Sequence, residues 1–280
     1  MALPAPLSPA LILQDSVALS GRFPLLAGID LEVATGETLL VEGPNGAGKT
    51  SLLRVCAGLV PVASGRVVVL GLDPVRHRAQ VRRRVGLLSH ASHLYDDLTV
   101  GENVRFAVRA SGGDAGRIGP ACERLGLTGR LFKTSASKLS AGQRRRVALA
   151  VLTARWPELW LLDEPHAGLD ASARRTLNEL IGEAKSSGVT VVIASHEAGF
   201  VDALATRAVT VIGGRITGDR LLGVAPSAPA TATETATATA TTTTTTDDAA
   251  GTVPSPRPVA DPASRPDPAG RPDPEVAHVA

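Results

Sequence analysis

The chain has 280 residues, 29 of them basic and 27 acidic, for a net charge of +2, and only two cysteines. That balance argues against a disulfide-stapled secreted scaffold, and Cys56 and Cys122, which form no CxxC pair, fit a reduced compartment. The N-terminus lacks the basic region and long apolar run of a signal peptide, and no uncharged apolar run approaches about 18 residues, so any membrane role is expected to be peripheral.

Composition divides the chain. From about Ala225 it collapses into Ala, Thr, Pro and Asp, with eleven threonines among residues 231–246 and a Pro-rich run after Val253. Such a segment has too little bulky apolar surface to offset the entropy of ordering, so 225–280 is expected to be a disordered tail. Residues 1–224 then form one domain carrying a helical insertion. The tail holds three arginines against seven acids, net −4, which leaves the rest at +6. That charge permits a nucleic acid or anionic membrane neighbour without demanding one. Arg82-Arg83-Arg84 and Arg144-Arg145-Arg146 are the two basic clusters, each read as a solvated helix face.

In chain order, Ile29-Asp30-Leu31-Glu32-Val33 alternates as a half-exposed strand should, and Ala34 to Glu37 turns the chain into the apolar run Thr38-Leu39-Leu40-Val41. This predicts an antiparallel edge feeding a buried central strand. Gly65 to Gly71 brackets another strand, and residues 97–155 read as helices with turns at Gly112-Gly113 and Gly126. Strand character returns at Leu159 to Asp163 and at Val189 to Ala194, separated by Ser172 to Lys185 with Leu177, Leu180 and Ile181 at helical spacing. The order predicts an α/β fold: a mostly parallel sheet wrapped by helices, with an antiparallel edge sheet and a helical subdomain inserted at about 91–156.

Between the central strand and the helix that follows lies Gly43-Pro44-Asn45-Gly46-Ala47-Gly48-Lys49-Thr50, a phosphate-binding loop. Glycines let the main chain curl around an anion, and free N–H groups at the start of the helix, from Ser51 onward, face the phosphates. Lys49 is placed to reach the β and γ phosphates and Thr50 to bind Mg²⁺. The expected ligands are therefore ATP or GTP with Mg²⁺.

Leu159-Trp160-Leu161-Leu162-Asp163-Glu164-Pro165 puts two carboxylates at the end of an apolar strand. Behind an intact phosphate loop, Asp163 is read as the Mg²⁺ ligand and Glu164 as the residue that orients or deprotonates water, although an acidic pair after a strand also serves as a turn cap. His196, after the last apolar strand, is placed to hydrogen-bond the γ phosphate. The six histidines are scattered, and none has zinc-site spacing.

Leu139-Ser140-Ala141-Gly142-Gln143 resembles the signature sequence of ATP-binding cassette ATPases. The phosphate loop, the signature, Asp163-Glu164, Gly168-Leu169-Asp170 and His196 fall in that family's order over about residues 11–220. The resemblance implies a P-loop NTPase of cassette type that binds ATP and Mg²⁺. It also implies head-to-tail pairing with an identical or related cassette, in which Ser140, Ala141, Gly142 and Gln143 meet the nucleotide held by the partner and Asp170 lies at the dimer loop. Ser140 is suited to cap the following helix, leaving its amide end open to an anion.

The family carries Gln nine residues before a threonine where this chain has His90 before Thr99. Imidazole cannot copy an amide's paired donor and acceptor, yet its neutral ring can still contact metal-bound water, so His90 is kept in the catalytic set. The only aromatic near the first strand that could stack on adenine is Phe23, which also suits a core or turn position.

The spacing from Thr50 to Leu139 leaves no room for the long coiled coil of repair cassettes, and a single phosphate loop sets the chain apart from translation cassettes. The expectation is therefore a transporter subunit on the cytoplasmic side of a membrane, docked on membrane subunits through the helical insertion and the His90 loop. Ala141 and His90 make it most similar to the ATP-binding subunit of the haem exporter of cytochrome c biogenesis. A generic exporter of drug, lipid or polysaccharide is the alternative, and a nucleotide-regulated nucleic-acid scaffold is the reading from another class. No nucleic acid partner is expected.

Overall fold

In the computed structural model, residues 9–196 and 203–222 are described, and all of them belong to one unit, Met1–Ser227. The predicted tail, 225–280, lies outside the described residues.

The first two strands, β1 (Pro9–Ser20) and β2 (Phe23–Ala34), pair antiparallel, and β4 (Ser64–Val69) joins the other edge of β1. This gives a three-stranded sheet in the order β2-β1-β4. The alternation read at residues 29–33 appears as Ile29, Leu31 and Val33 buried with Asp30 and Glu32 exposed.

A second sheet has six strands: β3 (Thr38–Glu42), β5 (Val85–Leu88), β6 (Leu159–Asp163), β7 (Thr190–Ala194), β8 (Arg207–Ile212) and β9 (Arg215–Leu221). Its order is β5-β6-β7-β3-β8-β9, with every pair parallel except β8–β9. The expected mostly parallel core is present, and β3 lies inside it. Parallel strands covered on both faces read as continuous apolar runs, and β6 and β7 are buried at every position.

Period-two geometry splits these strands between two cores. Leu40, Trp160, Leu162, Val191 and Ile193 face one side, and Leu39, Val41, Leu159, Leu161, Val192 and Ala194 face the other. The second core is closed by the three-stranded sheet and α1 (Lys49–Cys56), where Cys56 is fully packed and its thiol is pushed up to about 12 by burial. The first core is closed by α3 (Val100–Ser111), α4 (Ile118–Arg124), α6 (Ala141–Arg155) and α7 (Ala171–Ser186). Two short helices, α2 (Arg78–Arg84) and α5 (Gly129–Phe132), complete the described set. Helices α3 to α6 occupy the stretch read as an insertion.

Arg207 ties the sheets together. It forks onto Asp219 of β9 with two 2.8 Å bonds, reaches Glu37 at 3.2 Å, and donates to the Glu32 main-chain oxygen of β2 at 2.9 Å.

The two basic clusters differ. Arg82 and Arg83 are exposed, as read, while Arg84 forks onto Glu158 with two 2.7 Å bonds. Reading Arg144-Arg145-Arg146 as a solvated face is corrected. Arg144 pairs with Asp96 at 2.7 Å and donates to the Ala136 oxygen at 2.8 Å, Arg146 pairs with Asp170 at 2.7 Å, and Arg145 is buried. Consecutive helical residues point in different directions, so the three reach three separate partners.

Candidate nucleotide site

The loop from Gly43 to Gly48 leaves β3 at the carboxyl end of the parallel sheet and enters α1 at its N-terminus, the geometry in which free helix N–H groups meet an anion. Gly43 has φ 143°, and a Cβ there would run into the Val211 carbonyl oxygen of β8, so the loop can pass this close to the sheet only without a side chain.

A cleft of about 340 Å³ opens over the loop, lined by Asn45, Gly46, Ala47, Gly48, Lys49, Thr50, Ser51, Asp163 and Glu164, with Pro24 and Leu25 at its margin. Residues far apart in sequence thus line one cleft. Lys49 is only 7% exposed, and its ammonium donates to the Gly43 oxygen at 2.7 Å and the Pro44 oxygen at 3.2 Å. The Thr50 hydroxyl donates to Asp163 at 2.9 and 3.1 Å. A hydroxyl beside a carboxylate is a pair of hard oxygen donors, which is the chemistry Mg²⁺ takes, so Thr50 and Asp163 fit that ion.

Glu164 follows the last residue of β6 and leaves the strand with φ 44°, an uncommon conformation for a residue with a side chain. That turn separates its carboxylate from that of Asp163. Its N–H is held by the Ala194 oxygen at 2.9 Å, and its Oε1 accepts from His196 twice, from the main-chain N–H at 3.1 Å and from ring Nδ1 at 2.8 Å. An ionised carboxylate only accepts, so Nδ1 carries the hydrogen and Nε2 is the atom left for another contact. The neighbour that fixes one imidazole nitrogen is therefore Glu164.

His90 is not among the residues lining this cleft. It is exposed and borders a separate cavity of about 540 Å³, together with His93, Ala141, Arg144, Arg145 and Gly168. The chain leaving β5 is pinned locally: the Ser89 hydroxyl donates to the Ala91 oxygen at 2.8 Å, and His93 Nε2 lies 3.0 Å from that hydroxyl. Phe23 is 78% exposed at the first position of β2, beside Pro24 at the cleft margin, so the core reading does not hold.

Ser140 caps α6 as expected, in a reciprocal pair: its hydroxyl accepts from the Gln143 N–H at 3.2 Å, and the Gln143 side chain accepts from the Ser140 N–H at 3.0 Å. Ser140 to Gln143 do not line the cleft of their own chain. Asp170 caps α7 through the Ala173 N–H at 2.8 Å, and that bond, reinforced by Arg146, holds its carboxyl below the usual range.

Two buried polar residues went unnoticed in the sequence. His166, 6% exposed, meets Asn178 at 2.7 Å across the loop into α7, and Asn103, 3% exposed, bonds to Tyr95, Leu98 and Thr99 and shapes the chain ahead of α3. Neither stands in a motif, and only the folded contacts reveal them.

The chain is similar to known proteins. The family model described as ABC transporter matches residues 26–167. The cytochrome c biogenesis ATP-binding export protein CcmA of Paraburkholderia xenovorans is 40% identical over 199 residues, spanning 65% of this chain and 87% of that protein. The Fe(3+) ions import ATP-binding protein FbpC of Streptomyces avermitilis is 40% identical over 208 residues, spanning 72% of this chain but 59% of its own length. Among solved structures, the dimeric post-hydrolysis state of the cassette MJ0796 bound to ADP and Pi superposes with a TM-score of 0.68 at 23% identity, covering 76% of this chain and 99% of that one. With its phosphate loop, acidic strand end and capped signature helix on one cassette fold, the chain belongs to the ABC transporter family, as an ATP-hydrolysing cassette subunit.

Proposed function

We propose that this subunit drives haem export for cytochrome c biogenesis, working peripherally on the cytoplasmic side of a membrane through separate membrane subunits. The observation that carries the reading is high identity joined to high coverage. The match spans most of the cytochrome c biogenesis relative, whereas it spans little more than half of the equally similar iron importer. Ala141 in the signature and His90 ahead of Thr99 favour the same branch. Among the described residues no helix is long and apolar enough to cross a membrane, so the pathway for cargo belongs to the partner subunits.

In the proposed cycle, residues 1–224 act as the cassette. Lys49 and the loop N–H groups hold the β and γ phosphates, and Thr50 and Asp163 hold Mg²⁺, which supplies charge neutralisation on the phosphates. Glu164 accepts a proton from the attacking water, and His196, oriented by Glu164 through Nδ1, donates from Nε2 to the γ phosphate when both ring nitrogens carry hydrogen. A second cassette presents its Ser140 to Gln143 helix end to that phosphate, with Asp170 near the junction, a pairing supported by the dimeric cassette of the same fold. Differential contacts with ATP and its products then bias closed and open dimers, and the membrane subunits follow.

The test is complementation. In a strain lacking its own haem-export ATPase, this chain with its membrane subunits should restore haem-stained c-type cytochromes, and K49A should not. ATPase activity stimulated by an importer permease, without restored cytochromes, would redirect the assignment.

A further inference from the structure

Arg145 lies two residues beyond the signature on α6, is 7% exposed, and makes its side-chain hydrogen bonds to main-chain carbonyls alone. One terminal nitrogen donates to the Ser89 oxygen, at the exit of β5. The other donates to the Asp163 oxygen at 3.0 Å and the Glu164 oxygen at 2.8 Å, at the exit of β6. Burial pulls its pKa below the ordinary arginine value, partly offset by the charges of Asp163 and Glu164. A planar fork can serve three carbonyls from two strands at once, which one ammonium cannot do with the same geometry.

The carbonyl at Glu164 matters because that residue sits at φ 44°. Its N–H is tied to Ala194, and its C=O receives both Arg145 and the Ala167 N–H at 3.1 Å, so both of its peptide planes are fixed while its carboxylate meets His196. A conformation that backbone sterics disfavour persists when its surroundings over-determine it. Here one of the determinants rides on the helix whose N-terminus is the signature.

We propose that Arg145 is a positioning residue for ATP hydrolysis, locking the main chain of Glu164 and the exit of β5 to the signature helix so that a rotation of that helix is felt directly at the catalytic carboxylate. The inference rests on Glu164 being the proton acceptor. It makes Arg145, the middle residue of the second basic cluster, a transmission element rather than a surface residue.

The test uses the full chain with the membrane subunits that co-purify with it, measuring Kd for Mg-ATP and turnover per nucleotide-binding site. R145M should keep Kd within about twofold of wild type and lower kcat at least tenfold. R145K, with one ammonium for three acceptors, should lose three- to tenfold. A merely structural arginine would reduce the number of binding sites and leave the rate per site unchanged, and that result, or a wild-type kcat in R145M, overturns the proposal. If R145M does not fold, a wild-type kcat in R145K overturns it instead. E164Q run in parallel separates the two ideas: normal turnover by E164Q removes both, whereas slow E164Q beside full-rate Arg145 variants removes Arg145 alone.

Discussion

Glu164 Oε1 receives two hydrogen bonds from one residue, His196, through its main-chain N–H at 3.1 Å and its ring at 2.8 Å. The carboxylate is 25% exposed and the imidazole 50%, so the pair stands at the rim of the cleft rather than in the core. E164Q should therefore bind Mg-ATP normally, lose about 10²–10⁴ in turnover, and accumulate as a nucleotide-bound dimer on size exclusion. H196A should also slow turnover, while shifting unfolding free energy by less than about 0.5 kcal/mol, as expected for a half-exposed side chain. Rapid hydrolysis by E164Q would reject the proton-acceptor role.

A methyl group at Gly43 should be costly. The obstacle is the Val211 carbonyl inside a paired strand, not a flexible side chain, and φ 143° is strained for any residue with a Cβ. G43A is expected to cost on the order of 2–4 kcal/mol and to abolish nucleotide binding. Denaturant unfolding together with a Mg-ATP titration would measure both.

Trp160, the second residue of β6, has no exposure, donates its indole N–H to the Pro157 oxygen at 3.1 Å, and meets Trp156 edge-on. W160A should lower stability by about 3–5 kcal/mol. Because the residue faces the helical side of the sheet, soluble protein recovered at low temperature should still bind Mg-ATP.

Acid should loosen the fold at identifiable points. Hydrogen bonds from Arg84 lower the Glu158 pKa, those from Arg124 lower Glu183, and those from Arg207 lower Asp219. A carboxyl with a depressed folded pKa binds its proton more readily in the unfolded chain, so its stabilisation is present above the ordinary carboxylate value and disappears as pH falls below it. The thermal midpoint should drop as pH falls from about 5 toward 3, and D219N should show a shallower decline. An identical slope in D219N would remove Arg207–Asp219 from this account.

The legible parts were those in which local pattern and burial agree. The strands β3, β6 and β7 announce themselves as apolar runs because both faces are covered, and the capping pair at Ser140 and Gln143 can be read from spacing alone. β1 is hard to read for a physical reason: its register with β2 shifts repeatedly and Asp15 adopts φ 42°, so the alternation at Leu11 and Leu13 loses phase before Ser16 and Ala18. The β8–β9 hairpin did carry a signal, Gly213-Gly214 between two strand-forming runs. The carboxylates of Asp163 and Glu164 are legible from their place after an apolar strand, but their link to Arg145 is not, because its acceptors are main-chain oxygens 18 to 56 residues away that sequence cannot nominate.

Arg207 has a mechanical consequence. A single guanidinium spanning β8, β9, Glu37 and the β2 main chain couples the two sheets unequally, because loss of β2 removes one hydrogen bond from Arg207 while its charge stays paired with Asp219 and Glu37. Amide exchange in β2 should accordingly be released ahead of that in β8, whose fork between Arg207 and Asp219 outlasts the bond to Glu32.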